Sequence, residues 1–266
     1  MRAVALASGS TGNSTLLQWE GGSLLIDAGI SARRVRTMLR AEGTELSDLT
    51  AILITHDHSD HISGLQVLLR QCACPVYAMP GTAKMLRAIL REHESRFEAA
   101  PRDGFQLSEA TVTPIPTMHD ASESCGWRVE TPEGVFGLCT DLGVVTEDVI
   151  EGLCGADLAL IESNHDVDML LHGPYPPYLK RRIRSEFGHL SNEDAAELAV
   201  TLCANGTRSL ILGHISRHNN TPARALQTVS AALREALPEL LQPELAAAPE
   251  CGPLPVEVKV SAPCPL

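Results

Sequence analysis

The stretch Thr55-His56-Asp57-His58-Ser59-Asp60-His61 follows the apolar run Ala51–Ile54 and gathers three imidazoles and two carboxylates in six consecutive positions. Imidazole and carboxylate are ligands of borderline divalent metals such as zinc. His56 and His58, two apart in a loop, can aim both rings at one ion, and Asp60 and His61, just beyond, can reach a second. So short a loop cannot close two coordination shells, so further ligands have to come from later strand ends. Three positions qualify. His119 lies in Pro116-Thr117-Met118-His119-Asp120, Asp141 in Cys139-Thr140-Asp141-Leu142-Gly143, and His214 in Leu212-Gly213-His214-Ile215-Ser216. A carboxylate at the end of an apolar strand, as at Asp141, can bridge two ions.

Working outward from this loop, apolar runs and amphipathic stretches alternate along the chain. A strand is expected over Met1–Ala7, a hairpin from Ser14–Glu20 and Ser23–Asp27 around Gly21-Gly22, and a helix over Ala32–Glu42 closed by Gly43. Helices follow at Ser63–Gln71 and Gly81–Glu92 on either side of a strand at Pro75–Ala78. Further strands are expected near 105–107, 110–115, 127–130, 134–140, 157–161 and 208–212. Later helices fall near 146–152, 176–185, 191–203 and 222–236. The final 24 residues hold six prolines and are expected to wrap the surface before a last strand at Val256–Val260. No repeat or low-complexity linker interrupts this order, so residues 1–266 read as one domain, a layered α/β architecture with sheets under helices. The polar clusters recur just after apolar strands, where sites on such folds lie.

Composition narrows the function. Hydrophobic residues at 44% and charged residues at 20% supply a packed core. Aromatics are 3% of the chain, which leaves few rings for stacking on bases. The net charge of −12 argues against wrapping nucleic acid by bulk electrostatics but leaves room for a local basic strip. The eight cysteines are scattered, with no C-x-x-C pair, and read as small buried hydrophobes kept reduced. No apolar run approaches the roughly 18 residues needed to span a bilayer, and no signal-peptide pattern opens the chain. The expectation is a cytoplasmic protein with no membrane partner.

The order H-x-H-x-D-H, then His, Asp and His, resembles the metallo-β-lactamase superfamily over residues 1 to about 236. The resemblance implies a four-layer αββα sandwich with a two-metal site at the sheet edges. His56, His58 and His119 would hold the first ion. Asp60, His61 and His214 would hold the second, with Asp141 bridging. Within that superfamily, the strand Ala156–Glu162 and Gly188-His189-Leu190-Ser191 resemble RNase Z-type phosphodiesterases, in which the histidine pairs with the glutamate. Together with Ser8-Gly9-Ser10-Thr11-Gly12-Asn13-Ser14 and Glu162-Ser163-Asn164-His165-Asp166, they look most like the bacterial YycJ/WalJ (VicX) group. That likeness implies a metal-dependent 5′→3′ exonuclease on duplex DNA. No long Gly/Pro-rich insertion resembles the flexible arm of RNase Z, and 266 residues are too few for the extra domains expected of an RNase J.

On this reading the two ions, zinc with manganese or iron as alternatives, sit roughly 3.5–4 Å apart and hold the hydroxide that attacks phosphorus. Asp60 would orient that nucleophile. His189, oriented by Glu162, would protonate the departing oxygen. Asn13 and His165 are candidate substrate contacts. Arg33, Arg34, Arg36 and Arg40 form one basic concentration and Lys180-Arg181-Arg182-Ile183-Arg184 the other. The second stands closer to His189, which makes Arg181 and Arg182 the better candidates to grip DNA. A small-molecule hydrolase, of thioesterase or lactonase type on the same fold, is the alternative. The acidic charge and scarce aromatics favour it, while Glu162 and His189 speak against it.

Overall fold

Leu24 and Ile26 point one way and Leu25 the other, yet all three are buried, so the strand that carries them is covered on both faces. The computed structural model describes residues 1–239 and 242–257 and shows how. The chain first lays down β1 (Arg2–Ala7), β2 (Ser14–Trp19), β3 (Gly22–Ile26), α1 (Ala32–Ala41), β4 (Ala51–Leu53), α2 (Ser59–Ile62), α3 (Leu65–Leu69), β5 (Val76–Ala78), α4 (Pro80–Ile89) and β6 (Phe97–Ala99). It then forms β7 (Phe105–Leu107), β8 (Ala110–Pro116), β9 (Cys125–Thr131), β10 (Gly134–Cys139), α5 (Glu147–Leu153) and β11 (Leu158–Glu162). After α6 (Val167–His172), α7 (Pro177–Ile183) and α8 (Asn192–Ala204) come β12 (Ser209–Gly213), α9 (Pro222–Ala236), β13 (Glu244–Ala247) and β14 (Leu254–Glu257).

The strands make two seven-stranded sheets, ordered β14-β1-β2-β3-β4-β5-β6 and β13-β12-β11-β10-β9-β8-β7. Between them Leu17, Leu24, Ile26 and Leu53 of the first sheet meet Trp127, Phe136, Leu158 and Ile211 of the second. The outer face of the first sheet, through Leu16, Leu25 and Ile52, takes Val35, Leu39, Leu68 and Leu86 from α1, α3 and α4. The outer face of the second, through Ala159, Ile161 and Leu212, takes Leu153, Leu202, Val229 and Leu233 from α5, α8 and α9. Period-two alternation along the central strands thus serves two apolar layers at once, and the result is the expected αββα sandwich.

Strand direction places the site. β1 and β3 are both antiparallel to β2, and β4 runs parallel to β3. In the other sheet β8 and β10 are both antiparallel to β9, while β11 and β12 run parallel to β10. The carboxyl ends of β1, β3 and β4, and those of β8, β10, β11 and β12, therefore open on one edge of their sheets. The loops leaving these ends carry Ser8–Asn13, Asp27, Thr55–His61, His119, Asp141 and His214.

Several expected elements shift. The helix expected over Ser63–Gln71 is the shorter α3, and an unexpected helical turn, α2, precedes it inside the histidine loop. They part at Gly64, whose N–H donates to the Ala28 carbonyl at 2.8 Å, outside the helical ladder. β6, α6 and β13 carry no periodicity strong enough to announce them. β13 exists as an edge strand through its parallel pairing with β12. The final strand is Leu254–Glu257, paired antiparallel with β1, and the expected continuation to Val260 lies outside the described residues. The described cysteines are free thiols, and Cys72, Cys74, Cys125, Cys139 and Cys203 are buried as expected, whereas Cys154 is half-buried and Cys251 is exposed; Cys264 lies outside the described residues. Among the described residues no helix is long and apolar enough to cross a membrane.

Candidate metal centre

Three residues with side chains other than hydrogen mark the sheet edge by their backbones. Asp27, Asp141 and His214 have φ of 60°, 58° and 52°, a left-handed conformation that L-residues adopt at a cost. Each sits just past a strand, where the reversed turn throws its side chain inward over the edge. Gly29 lets the first loop close. A Cβ there would lie 1.6 Å from the Asp60 carbonyl oxygen, and Gly29 N–H donates to the Asn13 carbonyl while Asn13 N–H donates to the Asp60 carbonyl, both at 2.8 Å.

The ligand-type side chains converge in three overlapping groups. His56, His58 and His119 form one, His56, His61 and Asp141 the second, and Asp60, His61 and His214 the third, with the donor atoms of each group within 4.8 Å of one another. Asp141 sits among them: Oδ2 lies 3.2 Å from His61 Nε2 and Oδ1 3.1 Å from His214 Nδ1 and 3.9 Å from His119 Nε2. All seven residues expected to ligate metal are thus brought together. His56 Nε2, His214 Nε2 and Asp141 Oδ2 are buried with no hydrogen-bond partner. Buried polar atoms are nearly always paired, and these three are of the types that bind divalent ions.

Around the cluster a second ring of groups aims the imidazoles. Asp27 accepts from His61 Nδ1 at 2.7 Å and from Thr55 Oγ1 and the Thr55 backbone N–H, both at 2.9 Å, which turns His61 Nε2 toward Asp141. Gly188 O accepts from His119 Nδ1 at 3.2 Å. Glu162, fully buried, accepts from His189 Nδ1 and His214 Nδ1, both at 2.8 Å to Oε1, while Oε2 takes the backbone N–H groups of Leu142 and Leu190. Asp141, Glu162, His189 and His214 also come within ligating range of one another. The two shortest contacts there are imidazole N–H groups on one carboxylate oxygen, however, and that is a hydrogen-bond network.

Electrostatics follow from this crowding. Burial opposes charge on His61, yet Asp27 and Asp141 raise its pKa to about 10. Burial likewise disfavours the Glu162 carboxylate, but His189 and His214 outweigh it and bring its pKa down to about 2. Desolvation and the neighbouring imidazoles hold His56 well below the usual histidine value. His56 is thereby kept neutral with a free lone pair, the form that binds metal.

A cleft of about 180 Å³ opens beside the cluster, lined by His119, His189 and His214 and by Tyr175, Leu179 and Phe187. Arg182 reaches it and pairs with Asp120 through Nε at 2.8 Å. The other expected substrate contacts are placed elsewhere. Asn13 is buried, its amide Nδ2 donating to the Gly9 carbonyl at 3.1 Å and lying 2.9 Å from His61 Nε2, so it braces the loop. His165 is buried, its backbone bridging to Ser191, and burial lowers its pKa to about 4. Arg181 is exposed on α7, outside the cleft lining.

The sequence of residues 23–215 matches the family model described as a beta-lactamase superfamily domain. The chain belongs to the beta-lactamase superfamily. It is 38% identical over 237 residues to Exodeoxyribonuclease WalJ of Streptococcus pneumoniae, covering 87% of each chain. To Exodeoxyribonuclease YycJ of Bacillus anthracis it is 35% identical over 232 residues, covering 86% of this chain and 88% of that one. The fold is shared with the metallo-β-lactamase fold protein YhfI of Bacillus subtilis at a TM-score of 0.69 and 17% identity, over 96% of this chain and 99% of that one. Human tRNase Z, short form, aligns at a TM-score of 0.65 and 20% identity, over 98% of this chain and all of the other. As a member of this superfamily the chain is an enzyme, a hydrolase of the metallo-β-lactamase fold.

Within the superfamily fold, sequence reasoning passed over three residues that the structure puts to use. Asp27 was visible only as the end of an apolar strand. Asp57, inside the histidine loop, accepts from the Ser122 N–H at 3.1 Å and Oγ at 2.7 Å and ties the His119 loop in place. Asp120 accepts from His58 Nε2 through its carbonyl at 3.1 Å and from Arg182 through its carboxylate. A lone aspartate gives no sequence signal for such contacts.

Proposed function

We propose that this chain is a two-metal phosphodiesterase that removes nucleotides from DNA ends, with 5′→3′ polarity on duplex ends. The observation that carries the reading is Glu162 joining His189 to the cluster, because a carboxylate–imidazole pair beside ligand-type residues suits protonation of a leaving alkoxide. The names of the two relatives covering nearly nine-tenths of their lengths support DNA as the substrate.

The residues fit a pair of divalent ions, zinc with manganese or iron as alternatives. His56, His58 and His119 would hold one, and Asp60, His61 and His214 the other, with Asp141 between them. Bound there, the ions supply electrophilic charge against the phosphate oxygens and lower the pKa of water. The chain's own groups do the rest. Asp60, partly exposed at the mouth of the cluster, accepts a proton or hydrogen bond from the attacking water. Glu162 keeps the Nδ1–H of His189 engaged and fixes the ring, so that Nε2 can deliver a proton to the departing oxygen.

End-labelled linear duplex DNA incubated with metal-loaded protein is expected to shorten from its 5′ end, and chelator is expected to stop it. No cleavage with zinc or manganese bound, together with turnover of a thioester or lactone, would replace this reading by the small-molecule hydrolase. A second expectation concerns Asp27. Asp27→Asn removes the anion behind His61 and should weaken binding of the ion at that end by about 10- to 100-fold, measured by competition with a chromophoric chelator. Wild-type affinity in that variant would show that His61 is oriented by something else.

A further inference from the structure

The cleft beside the metal cluster has an apolar wall that hydrolysis by itself does not use. Of the chain's nine aromatic residues, Trp19, Phe97, Trp127 and Phe136 are buried, and Tyr77 and Phe105 stack on each other with centroids 4.5 Å apart. The other three, Tyr175, Tyr178 and Phe187, fall within one short segment spanning α7. Tyr178 is 68% and Phe187 49% exposed, and Tyr175 and Phe187 both line the cleft. An exposed ring contributes little packing, so its place here asks for a ligand with a flat apolar face.

Phe187 is also held still. On its carboxyl side Gly188 N–H donates to the Ser185 carbonyl at 2.8 Å and His189 N–H to the Ile183 carbonyl at 2.9 Å. A Cβ on Gly188 would stand 2.1 Å from that same Ile183 oxygen, so the backbone there packs against the end of α7. Phe187 is thus fixed two residues from His189, whose ring is tied to Glu162. Arg181, Arg182 and Arg184 flank the rings in a chain of net charge −12, and Arg182 reaches the cleft itself. A nucleotide offers a flat apolar face beside an anion, and aromatic rings bind bases by stacking whatever their identity.

We infer that Phe187, with Tyr175, stacks on the base of the terminal nucleotide and so positions the adjoining phosphodiester beneath His189. The inference rests on the phosphodiesterase reading and adds a subsite to it. Phe187 is a positioning residue on this account, since it acts through the placement of the phosphate.

The test uses the metal-loaded full chain and two oligonucleotides that differ only in the terminal unit, one bearing a base and the other an abasic tetrahydrofuran. Wild type is expected to favour the base-bearing end by about 5- to 100-fold in kcat/KM, most of it in KM. In Phe187→Ala the ratio is expected to collapse to about one, and Phe187→Tyr should restore it. A terminal 2-aminopurine behind an uncleavable methylphosphonate linkage should lose fluorescence on binding wild type and keep it with Phe187→Ala. A wild-type ratio near one, or a ratio or quenching that survives in a Phe187→Ala protein of unchanged melting temperature, overturns the stacking subsite and leaves the phosphodiesterase reading standing. Failure of wild type to cleave either oligonucleotide overturns both.

Discussion

Asp141→Ala is expected to lower kcat/KM on DNA ends by about 1000-fold or more, a loss of about 4 kcal/mol of transition-state stabilisation. The reason is geometric. Asp141 places Oδ2 3.2 Å from His61 Nε2, in one of the proposed ligand sets, and Oδ1 3.9 Å from His119 Nε2, in the other, so a single carboxylate serves both halves of the cluster. Its backbone lies in the left-handed region at φ 58°, and Asp is among the few side chains that tolerate it. Removing a group that only orients a ligand costs 10- to 100-fold; removing the group common to both halves should cost more. Metal content by mass spectrometry should fall from two ions per chain to one or none in the variant, with the circular dichroism of a folded protein retained. Near-normal turnover with both ions still bound would remove Asp141 from its proposed place between the ions.

His189→Ala is expected to separate proton transfer from metal binding. General acid catalysis contributes about 10²- to 10⁴-fold, and the loss should appear in kcat because the proposed ligand sets do not include His189. The metal content should match wild type. The loss should shrink to about tenfold or less on a p-nitrophenyl phosphodiester, whose leaving group departs without a proton. A loss of equal size on both substrates would show that His189 binds the phosphate and does not protonate the leaving oxygen. Glu162→Gln is a different matter. That carboxylate accepts from His214 as well as His189, so its removal reaches both the metal cluster and the proton donor, and its effect will not separate them.

The shared role of Glu162 shows where sequence reading stopped. Pairing of Glu162 with His189 was legible from the family resemblance, but the second imidazole on the same oxygen was not, since Glu162 and His214 are 52 residues apart and meet only because β11 and β12 are parallel neighbours. Asn13 and His165 illustrate the opposite case. Both stand in polar loops, which by composition suits substrate contact. The fold spends Asn13 on a loop closure and buries His165, whose backbone bridges to Ser191. The aromatic wall went unread because 3% aromatics spread evenly would offer no platform. Tyr175 and Phe187, gathered on one segment and lining one cleft, do.

The order and spacing of Thr55–His61, His119, Asp141 and His214 determined the class of site and, through the apolar runs that precede them, the layered α/β architecture. Those are properties of local chemistry and strand periodicity, which a linear reading can hold. Tertiary structure alone decided which strands run the same way, and therefore which loops share an edge. It also brought Asp27 behind His61 and His214 onto the same Glu162 oxygen as His189. Such pairings depend on sheet order and close backbone approach between distant segments, and no short-range pattern in a chain encodes a distance across a sandwich.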